Sequence, residues 1–252
     1  EVRVAENAEG FVMELWGNVP DVFTVSVRSP GGETIPSIRL GIQDSITYSF
    51  VYERTKITVA GTLVEPSSGE EMILLRVAQP TPGIWTFLVE AVGSVHNGSF
   101  HMWLPITQFM SAPAYFLEAS PYITLTEPAM ARDVISVSTY NAANNSFYID
   151  SGRGFTRDNV IAPDFAAPGV DISTLRGRET GSSLAAAMTA GAVAQFLQWA
   201  VVERNNQIVA GREIKNYFVR GASRSGELTY PNREWGYGRL NVGGTFDALI
   251  GV

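Results

Sequence analysis

Residues 184–202 read Leu-Ala-Ala-Ala-Met-Thr-Ala-Gly-Ala-Val-Ala-Gln-Phe-Leu-Gln-Trp-Ala-Val-Val, without one charged side chain. Such a run is long enough to cross a bilayer, which takes about 20 apolar residues. Alanine dominates it, however, and alanine contributes little transfer energy, while Thr189, Gly191, Gln195 and Gln198 add polarity. The expectation is a buried central helix of a globular domain and no membrane span. Small side chains on such a helix let a sheet and other helices approach closely.

Immediately before this stretch stand Gly181, Ser182 and Ser183. A serine at a helix start has unpaired backbone N–H groups and the positive end of the helix dipole beside it. An oxyanion forming on a carbonyl there is stabilised by both. Ser183 is therefore a candidate nucleophile, and its own N–H a candidate oxyanion donor. The plainer alternative is that Ser182 or Ser183 only caps the helix.

Upstream, Ser151-Gly152-Arg153-Gly154-Phe155-Thr156 and Ala162-Pro163-Asp164-Phe165-Ala166-Ala167-Pro168-Gly169-Val170 precede the serine, and Trp235-Gly236-Tyr237-Gly238-Arg239-Leu240-Asn241-Val242 follows it. In order and spacing these segments resemble the C-terminal half of the catalytic domain of subtilisin-like serine peptidases, over roughly residues 114–252. The resemblance implies that Ser183 is the catalytic serine, that Gly181 and Gly191 are its bracketing glycines, and that Asp164 is structural. Ser182, Ala187 and Met188 depart from the family's usual Thr, Pro and His. The segment Tyr230-Pro231-Asn232-Arg233-Glu234-Trp235 and the pair Gln198-Trp199 are similar to a subgroup related to clostridial spore-germination proteases, which carry a jelly-roll insertion. That resemblance makes the expected location secreted or spore-associated in a bacterium, with a cytoplasmic one also compatible.

Hydrolysis through serine needs a base in reach, oriented by a third group. The sequence has only two histidines, His96 and His101. His96 precedes Asn97-Gly98 and reads as a turn residue, and His101 reads as an outward strand residue. Neither stands in the family's catalytic context, and its acidic residue and oxyanion Asn are unmatched too. The expectation is a fragment of a serine endopeptidase, inactive alone, whose Asp, His and oxyanion Asn lie on sequence outside this chain. A non-catalytic pseudoprotease, or a β-sandwich binding or scaffold module, is the alternative.

Residues 1–112 have another texture. Phe23, Val25 and Val27 alternate with Thr24, Ser26 and Arg28, the period of a strand with one buried face. The same pattern recurs over residues 11–16, 45–52, 72–77, 84–91 and 99–104, broken by Ser29-Pro30-Gly31-Gly32, Glu65-Pro66-Ser67-Ser68-Gly69, Gln79-Pro80-Thr81-Pro82-Gly83 and His96-Asn97-Gly98. Short strands between turns argue for an antiparallel sandwich of the jelly-roll kind. Within it, Trp85 and Phe87 are expected in the core and not on a carbohydrate platform. The expected fold is thus an all-β antiparallel sandwich at 1–112 joined to an α/β domain at 113–252, the C-terminal part of a three-layer subtilisin-like fold with a parallel sheet. In the second domain a strand is expected at 133–138, a helix within the stretch 211–221 that ends before Gly221, and a short final helix.

Composition narrows the partners. A net charge of −7 leaves no basic excess to neutralise phosphates, so no nucleic-acid partner is expected. The absence of cysteine excludes disulfides and thiolate chemistry. No cofactor is expected, and no metal site, since Asp158-Asn159 and Asp171 form no calcium loop. The expected partners are a peptide or protein substrate and the missing N-terminal part of the same peptidase.

Overall fold

The structure, a computed structural model, describes residues 1–38, 44–131 and 133–250. Positions 251–252, which close the expected second domain, lie outside the described residues. The chain forms two compact units, Glu1–Ala119 and Ser120–Val252.

The first unit holds the strands β1 (Val2–Val4), β2 (Gly10–Gly17), β3 (Phe23–Arg28), β4 (Thr34–Ile38), β5 (Asp44–Ser49), β6 (Lys56–Thr62), β7 (Glu71–Ala78), β8 (Gly83–Ala91), β9 (Phe100–Trp103) and β10 (Ala114–Phe116). They make two five-stranded sheets, ordered β10-β1-β8-β3-β4 and β5-β6-β7-β2-β9, with antiparallel pairing throughout. Alternate residues of both sheets meet in one core: Val25, Val27 and Trp85 from the first, Met13, Leu15, Val59 and Leu75 from the second, all fully buried. Trp85 donates its indole N–H to the Thr81 carbonyl at 2.9 Å, so its polar atom is satisfied inside that core. Phe87 packs against the same cluster. β10 pairs with β1, which carries the first unit past the 112/113 boundary expected from the sequence.

The second unit contains β11 (Val137–Asn141), β12 (Ser146–Phe147), β13 (Phe165–Pro168), the hairpin β14 (Ile172–Thr174) and β15 (Gly177–Glu179), and the helices α1 (Ser182–Leu197), α2 (Gly211–Gly221) and α3 (Val242–Ile250). β11 runs parallel to β13 and antiparallel to β12. β11 begins later than the strand expected at 133–138. Ahead of it the Ser136 carbonyl still accepts the Asp164 N–H at 2.7 Å, but the Ser136 N–H turns to a carboxylate oxygen of Asp164 at 2.8 Å, so the regular ladder starts only at Val137. The closing Gly-x-Gly segment lies along β13, with bridges from Gly236 to Phe165 and from Arg239 to Ala166.

α1 packs on β11 and β13, and Phe165, Ala192, Phe196, Ile214 and Phe218 form the shared core. α2 packs against α3. Gly221 is not the left-handed residue beyond a helix end that the sequence suggested. It lies inside α2, where an added Cβ would stand 2.3 Å from the Thr245 nitrogen. Contact between two helix backbones explains this glycine. Asn241 caps α3 by accepting the Gly244 N–H at 3.0 Å.

The uncharged apolar run lies in one continuous helical segment, Ser182–Val202, whose last five residues form a π turn. It is long and apolar enough to cross a membrane by length and composition. It is not buried on all sides, as a central helix was expected to be. Ala185, Thr189, Ala192 and Phe196 face the core, Ala200 follows them in the π turn, and 28% of the apolar window is buried. Ala186, Ala187, Ala190, Gly191 and Ala194 are exposed.

Candidate functional site

Two parallel strands, β11 and β13, end on the same side of their sheet, the side on which open α/β sheets place their ligands. The Gly169 N–H, just past β13, donates to the Tyr140 carbonyl at 3.2 Å, which locks the two strand ends together. The chain then makes the β14–β15 hairpin. Asp171 donates its N–H to Thr180 Oγ1 at 2.9 Å across the base, and Arg178 pairs with Asp171 along it. Gly181 returns to donate its N–H to the Gly169 carbonyl at 2.9 Å, and α1 starts there.

Gly169 is glycine for lack of room. A Cβ there would stand 2.7 Å from Thr139 Cγ2, 2.8 Å from the Gly181 oxygen and 3.1 Å from the Ala185 nitrogen. The strand end thus touches the first turn of α1, and Thr139, fully buried on β11, forms the other wall. Thr139 was not singled out in the sequence. Its partner lies thirty positions away and no local pattern announces the contact.

Ser183 is the second residue of α1 and is exposed. The residue in the capping position is Gly181, and no side chain caps the helix. The capping alternative for Ser182 or Ser183 therefore does not describe this helix start. Among the described residues neither the hydroxyl nor the backbone N–H of Ser183 has a hydrogen-bond partner. An exposed hydroxyl beside free N–H groups at the positive end of a helix is an arrangement that can receive an anionic oxygen. Gly191 lies mid-helix on the exposed side, and Ala187 and Met188, the departures from the family pattern, are exposed too.

The flanking motifs are structural. Asp164 is buried, with Lys215 Nζ 2.7 Å from its carboxylate and the Ser136 N–H on its other oxygen. Burial pushes its carboxyl above the usual range, opposed by the Lys215 ammonium and the Ser136 N–H. Arg153 bonds Glu234 at 2.9 Å and the Ile149 carbonyl at 3.1 Å, and its guanidinium lies over the Phe147 ring. It ties the segment after β12 to the closing motif.

Both histidines belong to the first unit. His96 lies in the bend between β8 and β9, its Nδ1 3.5 Å from Asp21. His101 lies on β9, as the alternation suggested, but it is not simply outward. Its ring stacks on Trp103 at 5.4 Å, its Nδ1 is buried, and burial lowers its pKa. Among the described residues no group of three or more His, Asp or Glu side chains is placed to hold a metal ion.

Residues 117–238 match the subtilase family. No curated protein matches the chain. Among solved structures, the Clostridium perfringens CspB protease is similar, at 30% identity and a TM-score of 0.89. The match covers 99% of this chain and 54% of that one, so the chain spans about half the length of that relative.

Proposed function

We propose, for a chain whose residues 117–238 belong to the subtilase family of serine peptidases, that Ser183 is the nucleophile of an endopeptidase whose base, acid and oxyanion Asn lie on polypeptide outside these residues. The observation that carries this reading is the start of α1, where an uncapped, exposed Ser183 presents a free hydroxyl and a free N–H together.

In this mechanism the Ser183 hydroxyl oxygen attacks the carbonyl carbon of the scissile peptide bond and its proton passes to the external base. The carbonyl oxygen becomes an oxyanion and accepts the Ser183 N–H, where the helix dipole lowers its energy. The C–N bond then breaks, the amine leaves with the proton, and water hydrolyses the ester left on Ser183. The first unit, with two antiparallel five-stranded sheets around one core, is read as the jelly-roll-like insertion.

The partner that completes the site is the rest of the peptidase. A helix that is apolar around its whole circumference belongs inside a protein. α1 comes close to that, since it carries no charge and beyond Ser183 only Thr189 and Gln195 are polar, yet one side of it is open.

The test is labelling of the full-length protein with a fluorophosphonate. Wild type reacts, Ser183→Ala does not, and turnover of a peptide substrate falls by about a millionfold, the scale set by loss of such a nucleophile. A folded full-length protein that neither labels nor cleaves would leave the scaffold reading in its place.

A further inference from the structure

Between β8 and β9 the chain turns through Val95, His96, Asn97 and Gly98, all exposed. Asn97-Gly98 is the only Asn-Gly pair in the sequence. Asn-Gly is the dipeptide most open to loss of the side-chain amide, because glycine has no Cβ to obstruct its own nitrogen. In that reaction the Gly98 amide nitrogen gives up its proton and attacks the side-chain carbonyl carbon of Asn97. A carbon–nitrogen bond forms, the bond to Nδ2 breaks, and ammonia leaves with the proton. Water then opens the cyclic imide to an aspartyl or isoaspartyl residue at position 97.

In this fold the attacking nitrogen is engaged. Asp21, in the loop between β2 and β3, is 2% exposed. One carboxylate oxygen accepts the Gly98 N–H at 2.6 Å and the Asn97 N–H at 2.8 Å, and the other accepts the His96 N–H at 2.7 Å. Two physical effects oppose imide formation. Taking the proton from the Gly98 nitrogen would create an anion against a carboxylate, a like-charge contact. Three charge-assisted bonds also hold the turn, with Gly98 at φ +67°, so its nitrogen cannot swing toward the Asn97 side chain.

We propose that Asn97 is a deamidation site kept closed by the Asp21 carboxylate, so that the site opens only when the turn at 95–98 detaches from Asp21. The three N–H donors hold the Asp21 carboxyl down at about 2, so the clamp is fully charged at the neutral and alkaline pH where amide attack proceeds. Among the described residues the other titratable group facing it is the His96 imidazole, 3.5 Å away. The clamp joins positions more than seventy residues apart and therefore exists only in the folded unit.

The experiment follows the 1 Da mass gain and isoaspartate content of the peptide containing Asn97, during incubation of the full chain in mildly alkaline buffer. Folded wild type is expected to react slowly and denaturant-unfolded wild type fast. Asp21→Asn, which keeps one acceptor oxygen, puts an NH2 group in place of the other and removes the charge, is expected to react at least about tenfold faster than folded wild type, the ratio for a single lost charge-assisted bond being the floor. His96→Ala keeps the wild-type rate. Hydrogen exchange of the Gly98 amide in wild type gives a second readout that needs no variant to fold: strong protection is expected. Equal rates in folded wild type and folded Asp21→Asn, or a folded wild type as reactive as the unfolded chain, would overturn the proposal. So would an unprotected Gly98 amide.

Discussion

Gly169 and Thr139 show how single atoms set the start of α1. An alanine at 169 must push against Thr139 Cγ2, the Gly181 carbonyl and the Ala185 nitrogen, two of which are backbone. Gly169→Ala is expected to cost about 1–3 kcal/mol, the range for overpacking a filled interior, measured by urea unfolding of this chain. It should also abolish fluorophosphonate labelling of the full-length protein. Adding Thr139→Ser, which removes Cγ2, should recover only part, because the Gly181 carbonyl remains in the way. Asp164 gives a second case. Removing its cation with Lys215→Met leaves a buried carboxylate with only the Ser136 N–H against it and is expected to cost about 3–5 kcal/mol at neutral pH. Burial already raises this carboxyl in the folded state, and without Lys215 it rises further. A raised folded pKa means that the native state favours the proton, so the variant's deficit should shrink as pH falls and the carboxyl is neutralised. Unfolding at neutral and acid pH reads the difference. Ser183 was legible in the sequence because its signal is local: small residues, then an uncharged apolar run. Thr139 and Asp21 were not, because each acts on partners that are neighbours only after folding.

Strands were legible to the extent that their neighbours covered one face. β2 and β7 sit within their sheets and show clean alternation, whereas β3, also interior, buries Thr24 as well, and interior β8 fully buries only Trp85. β4 is an edge strand containing Pro36, where a missing N–H is tolerated but the sequence signal breaks. β6 alternates too, but its inward row runs Ile57, Val59, Gly61, and the glycine hides the period. Between the two sheets a carboxylate was hidden by the same alternation. Glu71 takes an inward position at the head of β7 and accepts the Phe23 N–H of β3 at 2.8 Å. Burial pushes its carboxyl up to about 7, with the Phe23 N–H opposing. The native state therefore favours the protonated form, and the stability this gives is present below the unfolded value of 4.5 and lost as pH rises through about 7. Asp21 acts in the other direction: its bonds stabilise above 3.8 and are lost as pH falls through about 2. The first unit should accordingly be most stable near pH 4–5 as far as these two groups decide it. Glu71→Gln keeps an acceptor for Phe23 and removes the titration. It is expected to gain about 1–3 kcal/mol over wild type at pH 8 and almost nothing at pH 4, as read by urea unfolding at the two pH values.

For the molecule as a whole, the open side of α1 departs from the buried helix expected from the sequence. An uncharged, alanine-rich run whose polar side chains are only Thr189, Gln195 and Gln198 led to the expectation of a buried central helix. The described residues bury only the side carrying Ala185, Thr189, Ala192 and Phe196. Both observations hold if further polypeptide covers Ala187, Gly191 and Ala194, and the relative of known structure is about twice as long as this chain. The two faces of one helix should then respond oppositely to the same substitution. Ala192→Lys puts an unpaired charge into the core of this chain and should destabilise it by several kcal/mol wherever it is studied. Ala187→Lys lies on the open face and should leave unfolding of this 252-residue chain within about 0.5 kcal/mol of wild type. In the full-length protein the same lysine would stand beneath the covering polypeptide, one helical turn from Ser183, and should abolish fluorophosphonate labelling. If Ala187→Lys labels normally in the full-length protein, that face is not covered, and the proposed completion of the site by outside polypeptide fails with it.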